Sequence, residues 1–475
     1  MTAAARIALL MTAALLPACS FRMDPVQNPV KLPVAWDSAP ARPATADAAV
    51  PQEWWRTFSS PVLDGLIAEA LAGNPSIRIA EERLRQAERA VSVARDDLMP
   101  DLSVNASSSR TRSGGSGQQD VIRSSTTVNG QLRYDVDLWG GSAASLRASR
   151  ATLAGTRYDL DTARLTLAAS VASQYFQLLS IRARVDIARE NLAIAERLLR
   201  IVDARYRNGV VRQLDLTQQT TAVLQQRTNL IPLEAQMRQT ETALGLLLGR
   251  VPQEFRVEGE PFDRIAVPEV QPWLPAELLL RRPDLASAEA KLSAAHANIA
   301  VARATLLPGA VSLTAGGGLA SSGLLSLTDP LKTFSLSGVV SIAESIFGVR
   351  ARKAQLDNAR SSELITLQNY AVAIRTALKD VDDSLTNAET DRKREESQRA
   401  VLEQAQRALR LAELEYREGS GSLQDVLDAQ RTQFSAEDSL SQIRLARLNS
   451  AVDLYVSLGG GWTGSQAEAR SVAVR

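Results

Sequence analysis

A single cysteine, Cys19, in 475 residues leaves no partner for an intramolecular disulfide. There is also one histidine, His296, set in an alanine-rich stretch that suits packing or solvent better than catalysis. No cluster of residues has metal-ligand spacing, no glycine loop is placed to cradle a phosphate, and no nucleophile stands beside a base in a known motif. Neither an enzyme site nor a cofactor is expected. Charge of one sign is lacking too: 54 basic and 53 acidic residues give a net +1, which argues against nucleic acid as a partner. Aromatic residues make up only 4% of the chain, against 45% apolar residues in all, which fits close-packed alanine-rich helices rather than a thick aromatic core.

Between Gly348 and Tyr416 proline and glycine are both missing, and alanine, leucine, arginine, glutamate and glutamine predominate. That is the composition of one very long helix, roughly 100 Å at about 1.5 Å per residue. It turns at Gly419-Ser420-Gly421-Ser422 and returns to Leu458. A rod of this length belongs to a coiled coil or a helical wall rather than to a globular core.

The N-terminus offers Arg6, an apolar run from Ile7 to Leu16, and Leu16-Pro17-Ala18-Cys19. A short apolar run behind a positive residue reads as a secretory signal, too short to span a bilayer. The four residues resemble the bacterial lipobox, which implies cleavage after residue 18 and lipidation of Cys19; the alternative is an ordinary signal peptide with an incidental cysteine. Ser20, rather than aspartate, by the same resemblance favours the outer membrane of a Gram-negative cell. One lipid chain anchors weakly to moderately, so further membrane contact is expected.

The rest of the chain repeats itself. Asn74-Pro75, Ala80-Glu81, Ala94-Arg95 and Pro100 recur as Arg282-Pro283, Ala288-Glu289, Ala302-Arg303 and Pro308, an offset of 208 (282 minus 74). Tyr206-Arg207, Gly209, Asp215 and Leu248-Gly249 recur at 210 as Tyr416-Arg417, Gly419, Asp425 and Leu458-Gly459. The expected organisation is a signal over 1–18, an extended lipidated belt segment over 19–73, repeat 1 over 74–250, a linker and belt over 251–281, repeat 2 over 282–460, and a tail over 461–475. Each repeat holds a helix (76–98 or 284–306), two strands, and a long helical hairpin. In the first hairpin Leu178, Val185, Leu192 and Leu199 step by seven, with Ile181, Ala188, Ala195 and Val202 three residues later, which is a coiled-coil seam. The return helix over 214–248 is expected to kink at Pro232.

The strands alternate. Val128, Gly130, Leu132, Tyr134, Val136 and Leu138 oppose Asn129, Gln131, Arg133, Asp135 and Asp137; Phe334, Leu336, Gly338, Val340 and Ile342 oppose Ser335, Ser337 and Ser341. Their partners are 102–109 and 311–319, and the expected hairpin tips are the glycine- and serine-rich 113–117 and 316–323. One apolar and one polar face in a secreted chain fit a transmembrane barrel with a wet lumen. Four strands cannot close a barrel, so several chains must share one: two give eight strands with a filled interior, and three give twelve and room for a channel.

The duplicated layout, Leu280-Arg281-Arg282-Pro283-Asp284-Leu285 with Ala288-Glu289, and the tips Tyr206-Arg207-Asn208-Gly209 and Tyr416-Arg417-Glu418-Gly419 resemble the outer membrane factor family, the TolC-like ducts, in their NodT-type lipoprotein branch. The resemblance covers nearly all of residues 1 to 465. It implies an α+β membrane protein: a homotrimer whose twelve-stranded β-barrel continues into a twelve-helix periplasmic tunnel with an equatorial belt. The implied partners are a periplasmic adaptor and an inner-membrane pump of RND type. The implied function is the exit duct for drugs or small molecules, with protein or peptide secretion, or a non-conducting scaffold, as alternatives. Asp425 and Asp428 match the family's acidic pair at the closed periplasmic end, and the alternative is that both favour the positive end of their helix. Asp215 corresponds to Asp425, but Gln218 stands where the second acid would be. Tyr416 matches a tip tyrosine that in some members joins a closing link to an arginine; here Gly421 occupies the arginine position, with Arg207 and Arg417 as substitutes. Gly209, Val210 and Val211, with Gly419, Ser420 and Gly421, are the candidate adaptor contacts, Val210 and Val211 as exposed apolar residues.

Overall fold

The computed structural model describes residues 30–33, 36, 50–114, 121–270, 281–307, 310–321, 333–343 and 348–464. Cys19 and the signal segment lie outside these, as do 115–117 of the first expected strand tip and 271–280 of the linker. The helix α1 (Pro61–Gly73) leads into α2 (Pro75–Asp96), β1 (Asp101–Ser113), β2 (Val121–Val136), α3 (Gly141–Arg207) and α4 (Gln213–Leu247). The same order returns as α5 (Pro283–Ala304), β3 (Ala310–Ser321), β4 (Thr333–Ala343), α6 (Val349–Glu418) and α7 (Leu423–Ser457). No helix among the described residues is long and apolar enough to cross a membrane.

The rods α3 and α6 have 67 and 70 residues. α3 is the spine, packing against α2, α4, α5 and α7, while α6 packs on α5 and α7. Its predicted seam is real: Ile181, Ala188, Ala195 and Val202 are all buried. α4 runs on as one helix through Pro232.

The extended reading of 19–73 is wrong over 61–73, where α1 forms. Ser60 caps it, its Oγ accepting from Leu63 N–H at 3.1 Å. Pro61 sits in the first turn, where a missing N–H is harmless. Leu63, Leu66, Ile67 and Ala70 then enter the core. The few aromatics gather at this level: Trp54 stacks on Tyr455 with centroids 5.4 Å apart, and Phe58 meets Phe176 at 5.0 Å. Scarcity in composition thus hides a local aromatic core.

The duplication has a molecular meaning at the start of each unit. Asn74 caps α2 through Ser76 N–H and donates from Nδ2 to the Leu247 carbonyl at 2.7 Å, joining the first helix of the unit to its last. In the second unit Arg282 takes that place, donating to the Ser457 carbonyl at 3.1 Å, and Ser457 lies 210 residues after Leu247. The carboxylate of Asp284 holds the guanidinium at 2.7 Å. A different residue type makes the same closure.

The linker lies on the hairpins. Phe255, Phe262 and Ile265 are buried, and Arg444 on α7 donates to the carbonyls of Phe262, Asp263 and Ile265 at 3.3, 2.8 and 3.0 Å. His296 contacts the carboxylate of Glu363 and so ties α5 to α6.

The strands form one antiparallel sheet in the order β1-β2-β3-β4. Its register carries the apolar face across: Leu102 opposes Leu132, which opposes Ala315, which opposes Gly338; Tyr134 opposes Leu313, which opposes Val340. Leu102, Val104, Leu132, Leu313 and Val340 are exposed in the single chain. β1 and β4 are both edges. The expected loop over 316–323 is instead strand as far as Ser321. Position 318 within this strand is glycine because a Cβ there would run into Asn129 Oδ1 on the neighbouring strand. The glycine makes room for a cross-strand side chain.

Candidate functional site

Both helical hairpins turn at the same end, and each turn is set by a glycine in the left-handed region. Gly209 (φ 71°) closes α3, with the Val210 N–H donating to the Arg205 carbonyl at 2.9 Å; Gly419 (φ 81°) closes α6, with the Ser420 N–H donating to Glu415 at 2.9 Å. The repeated bond spans five residues back in each case, so the two tips are the same turn made twice. Gly421 is folded back on α6, where a Cβ would lie 2.9 Å from that of Glu415.

The tips have a small core of their own, in which Val202, Leu423 and Leu427 are buried and Leu198, Val211, Leu216, Ala222 and Tyr416 pack on them. Here the sequence reading needs a correction. Val210 is 68% exposed, but Val211 is half-buried in this core and offers little surface to a partner. Val211 follows the turn directly and packs where Val202 of α3 meets Leu423 and Leu427 of α7.

The acids are placed by helix starts. Asp425 is the third residue of α7 and forms a reciprocal cap with Ser422: its carboxylate accepts from Ser422 N–H at 3.0 Å and Oγ–H at 2.7 Å, while Ser422 Oγ accepts from Asp425 N–H at 3.3 Å. The side-chain and backbone hydrogen bonds from Ser422 hold the Asp425 carboxyl below its usual range. Asp215 repeats this at the start of α4, accepting from Arg212 N–H at 3.0 Å. Asp428 is exposed one turn on, bound by Gln424 Nε2 at 3.0 Å and by Arg431 at 3.1 Å. Within one chain, then, Asp425 serves its helix, and Asp428 presents a surface carboxylate beside it.

Because the folded form lowers the Asp425 pKa, its cap is at full strength above the unfolded value of 3.8 and is lost as pH falls through the lower folded one. Asp425→Asn is expected to speed amide exchange over residues 422–428 about fivefold at neutral pH and to flatten its acid dependence, as hydrogen exchange would read directly.

Tyr416 reaches across the hairpins. The guanidinium of Arg205, on α3, lies over its ring at 4.7 Å, and its hydroxyl is enclosed without a hydrogen-bond partner among the described residues. Arg205 was not among the candidate latch residues: Arg207 pairs instead with Asp203 at 2.7 Å, and Arg417 is exposed. Behind the tips a cavity of about 480 Å³ opens between α3, α4 and α7, with Asn191, Thr217, Gln225, Gln424 and Arg431 in its wall.

Tandem rods, a four-stranded meander with one apolar face, and capped tips at one end are matched as a whole. The model of the outer membrane efflux protein family fits residues 66–250 and again 274–460. The chain belongs to that family. It is 35% identical over 464 residues to the pyoverdine export outer membrane protein OpmQ of Pseudomonas aeruginosa, covering 96% of this chain and 97% of that protein. It is 32% identical over 478 residues to the toluene efflux pump outer membrane protein TtgC of Pseudomonas putida, covering 98% of each. Among solved structures, the outer-membrane channel OprN superposes with a TM-score of 0.84 at 26% identity, over 93% of this chain and 99% of that one. This outer-membrane efflux channel shares the TolC-like architecture, with its helices as the periplasmic extension.

Proposed function

We propose that three copies of the chain form the exit duct of a tripartite efflux system, receiving small molecules from a periplasmic adaptor and an inner-membrane pump of RND type. The observation that carries the reading is the open sheet. Its two edges, β1 and β4, leave backbone groups that lipid cannot satisfy, and twelve strands from three chains would pair them around a water-filled lumen. The polar face, with Asn129, Gln131 and Arg133, then lines that lumen. Lipidation of Cys19 supplies a second anchor, as its lipobox-like surroundings suggest.

At the tips, Asp425 and Asp428 from three chains would set six carboxylates around the periplasmic mouth, with Asp215 behind them and Tyr416 holding the hairpins together through Arg205. Gly209, Val210, Gly419 and Ser420 stay on the outer end for an adaptor. Single-channel conductance of the trimer in a planar bilayer tests the duct and its gate together. Asp425→Ala/Asp428→Ala is expected to raise a small wild-type conductance at least threefold. Ser422→Ala, which removes the cap partner and keeps both acids, separates charge from helix capping. A rise in the acid variant alone supports a carboxylate gate; an equal rise in both means that cap order closes the mouth. Intact inserted trimers that never conduct would sink the duct reading.

A further inference from the structure

One face of α4 is built for burial and lies exposed. Leu214, Thr217, Thr221, Leu224, Thr228 and Ile231 recur at steps of three and four, the spacing of a coiled-coil seam, and all six are exposed. The threonines do not make this face polar. Thr217, Thr221 and Thr228 each donate their hydroxyl to the carbonyl four residues back, at Gln213, Thr217 and Leu224. An apolar helix can therefore cover the seam without stranding a donor.

The internal repeat says which helix that is. Along the rods the two units keep an offset of 210 (381 minus 171), at which Val171 matches Val381 and Ala195 matches Ala405, all four buried. The same offset carries the seam of α4 onto the face of α7 that meets α3. There Ser180 donates from Oγ to the Ser441 carbonyl at 3.4 Å, Arg184 donates to Asp438 at 3.2 Å, and Val202 packs with Leu427. The long helix of the first unit thus rests on the return helix of the second. By repetition α6 should rest on an α4, yet among the described residues no comparable packing joins the two. They stand at opposite ends of the row α4, α3, α7, α6, so a second copy has to supply the contact.

The matching face of α6 is exposed as well: Thr390 is the counterpart of Ser180, Arg394 of Arg184 and Val401 of Asn191. Positions that are polar in the joint within the chain turn apolar here. Ile231 stands where Ser441 is buried, and Val401 stands where Asn191 shares a cavity wall with Phe434, whose own counterpart is Leu224. Each copy would give α6 on one flank and receive with α4 on the other, a head-to-tail contact of the kind that closes rings. The sheet agrees. β1 belongs to the first unit and β4 leads into α6, so the neighbour that brings α6 to α4 also sets its β4 edge beside the free edge of β1.

We infer that α4 of one copy receives α6 of the next in the register of the internal repeat, with Ile231 against Thr390 and Leu224 against Val401. This rests on the assembly of several copies proposed above and fixes how they touch.

Cysteine pairs in the full-length, detergent-extracted protein test the register, and the wild type, with Cys19 alone, sets the background. Ile231→Cys/Thr390→Cys is expected to give covalent dimers and trimers under mild oxidation. Ile231→Cys/Ser397→Cys, displaced by two turns or about 10 Å along α6, should give about tenfold less, because a disulfide tolerates little error in distance. Leu224→Cys/Val401→Cys repeats the test nearer the tips, should the first pair disturb assembly. Native mass spectrometry of the same samples counts the copies. Assembled protein in which neither matched pair cross-links, or cross-links no better than the displaced one, overturns the register alone. A wild type that is monomeric throughout removes the assembly as well.

Discussion

Gly459→Ala is expected to cost about 3 kcal/mol or more of stability, and Gly209→Ala only about 1, although both residues have positive φ. Gly459 has φ 88° and Gly209 φ 71°, so the backbone penalty for an L-residue is similar at both. What differs is space. A Cβ on Gly459 would lie 1.9 Å from the carbonyl oxygen of Arg281, whereas one on Gly209 would meet nothing within 4 Å. The neighbour at Gly459 is backbone and cannot swing aside, so the two chain segments must part. They are the start and end of the second unit, joined there by the bond from Arg282 to Ser457. Gly249, the counterpart in the first unit, has φ 74° with Gly73 O at 2.7 Å from the added Cβ, which places it between the other two. Thermal unfolding of the three detergent-solubilised variants should rank Gly459, Gly249, Gly209 in falling order of damage. Equal damage at Gly209 and Gly459 would mean that backbone strain alone decides, and the closure argument would fail.

The same contrast shows what a sequence can display. The recurrence of Asn74-Pro75 as Arg282-Pro283 was legible as a repeat because both copies keep their spacing, and the rods were legible because α6 has neither proline nor glycine over its length. The function of the first position was not legible, since asparagine and arginine share no chemistry until the fold aims each at the last carbonyl of its unit. Gly316, Gly317 and Gly318 read as loop because glycine weakens strands in general; the use of Gly318 depends on Asn129, nearly two hundred residues away. α1 did carry a signal, the Ser60-Pro61 start, but its apolar residues are too evenly spread to show one face. At the tips, Asp425 and Asp428 could be found by likeness and spacing. That Asp425 caps its own helix was one of two open readings, and that Arg205 covers Tyr416 follows only from how the hairpins lie side by side.

The largest loss should come from Glu395→Ala, about 3–5 kcal/mol, because it removes the buried carboxylate that neutralises the half-buried Arg444 and Arg447. The Glu395 side chain is 1% exposed and accepts from Arg399 at 2.6 Å, Arg444 at 3.0 Å and Arg447 at 2.8 Å. Burial pushes its carboxyl up, but the hydrogen bonds from Arg447 and Arg399 and the charges of Arg444 and Arg447 outweigh this and leave the pKa lowered. Its stabilisation is therefore fully present above the unfolded value of 4.5 and fades only as pH falls through the lower folded value. Between pH 5 and 8, taken as roughly the periplasmic range, this group should add no pH dependence. The arginines are not equivalent. Arg447→Ala leaves Glu395 with two partners and should cost about 1–3 kcal/mol. Arg444→Ala costs more, since it also releases the carbonyls of Phe262, Asp263 and Ile265. Glu395→Ala should accordingly free the linker as well as the hairpin, because Arg444 loses the charge that orients it. Hydrogen exchange over residues 262–266 reads that coupling: faster exchange in both Glu395→Ala and Arg444→Ala, with little change in Arg447→Ala, is the expected pattern. If Arg447→Ala loosened the linker as much as Arg444→Ala, the hold on this segment would come from the cluster's overall packing and not from the three carbonyl bonds.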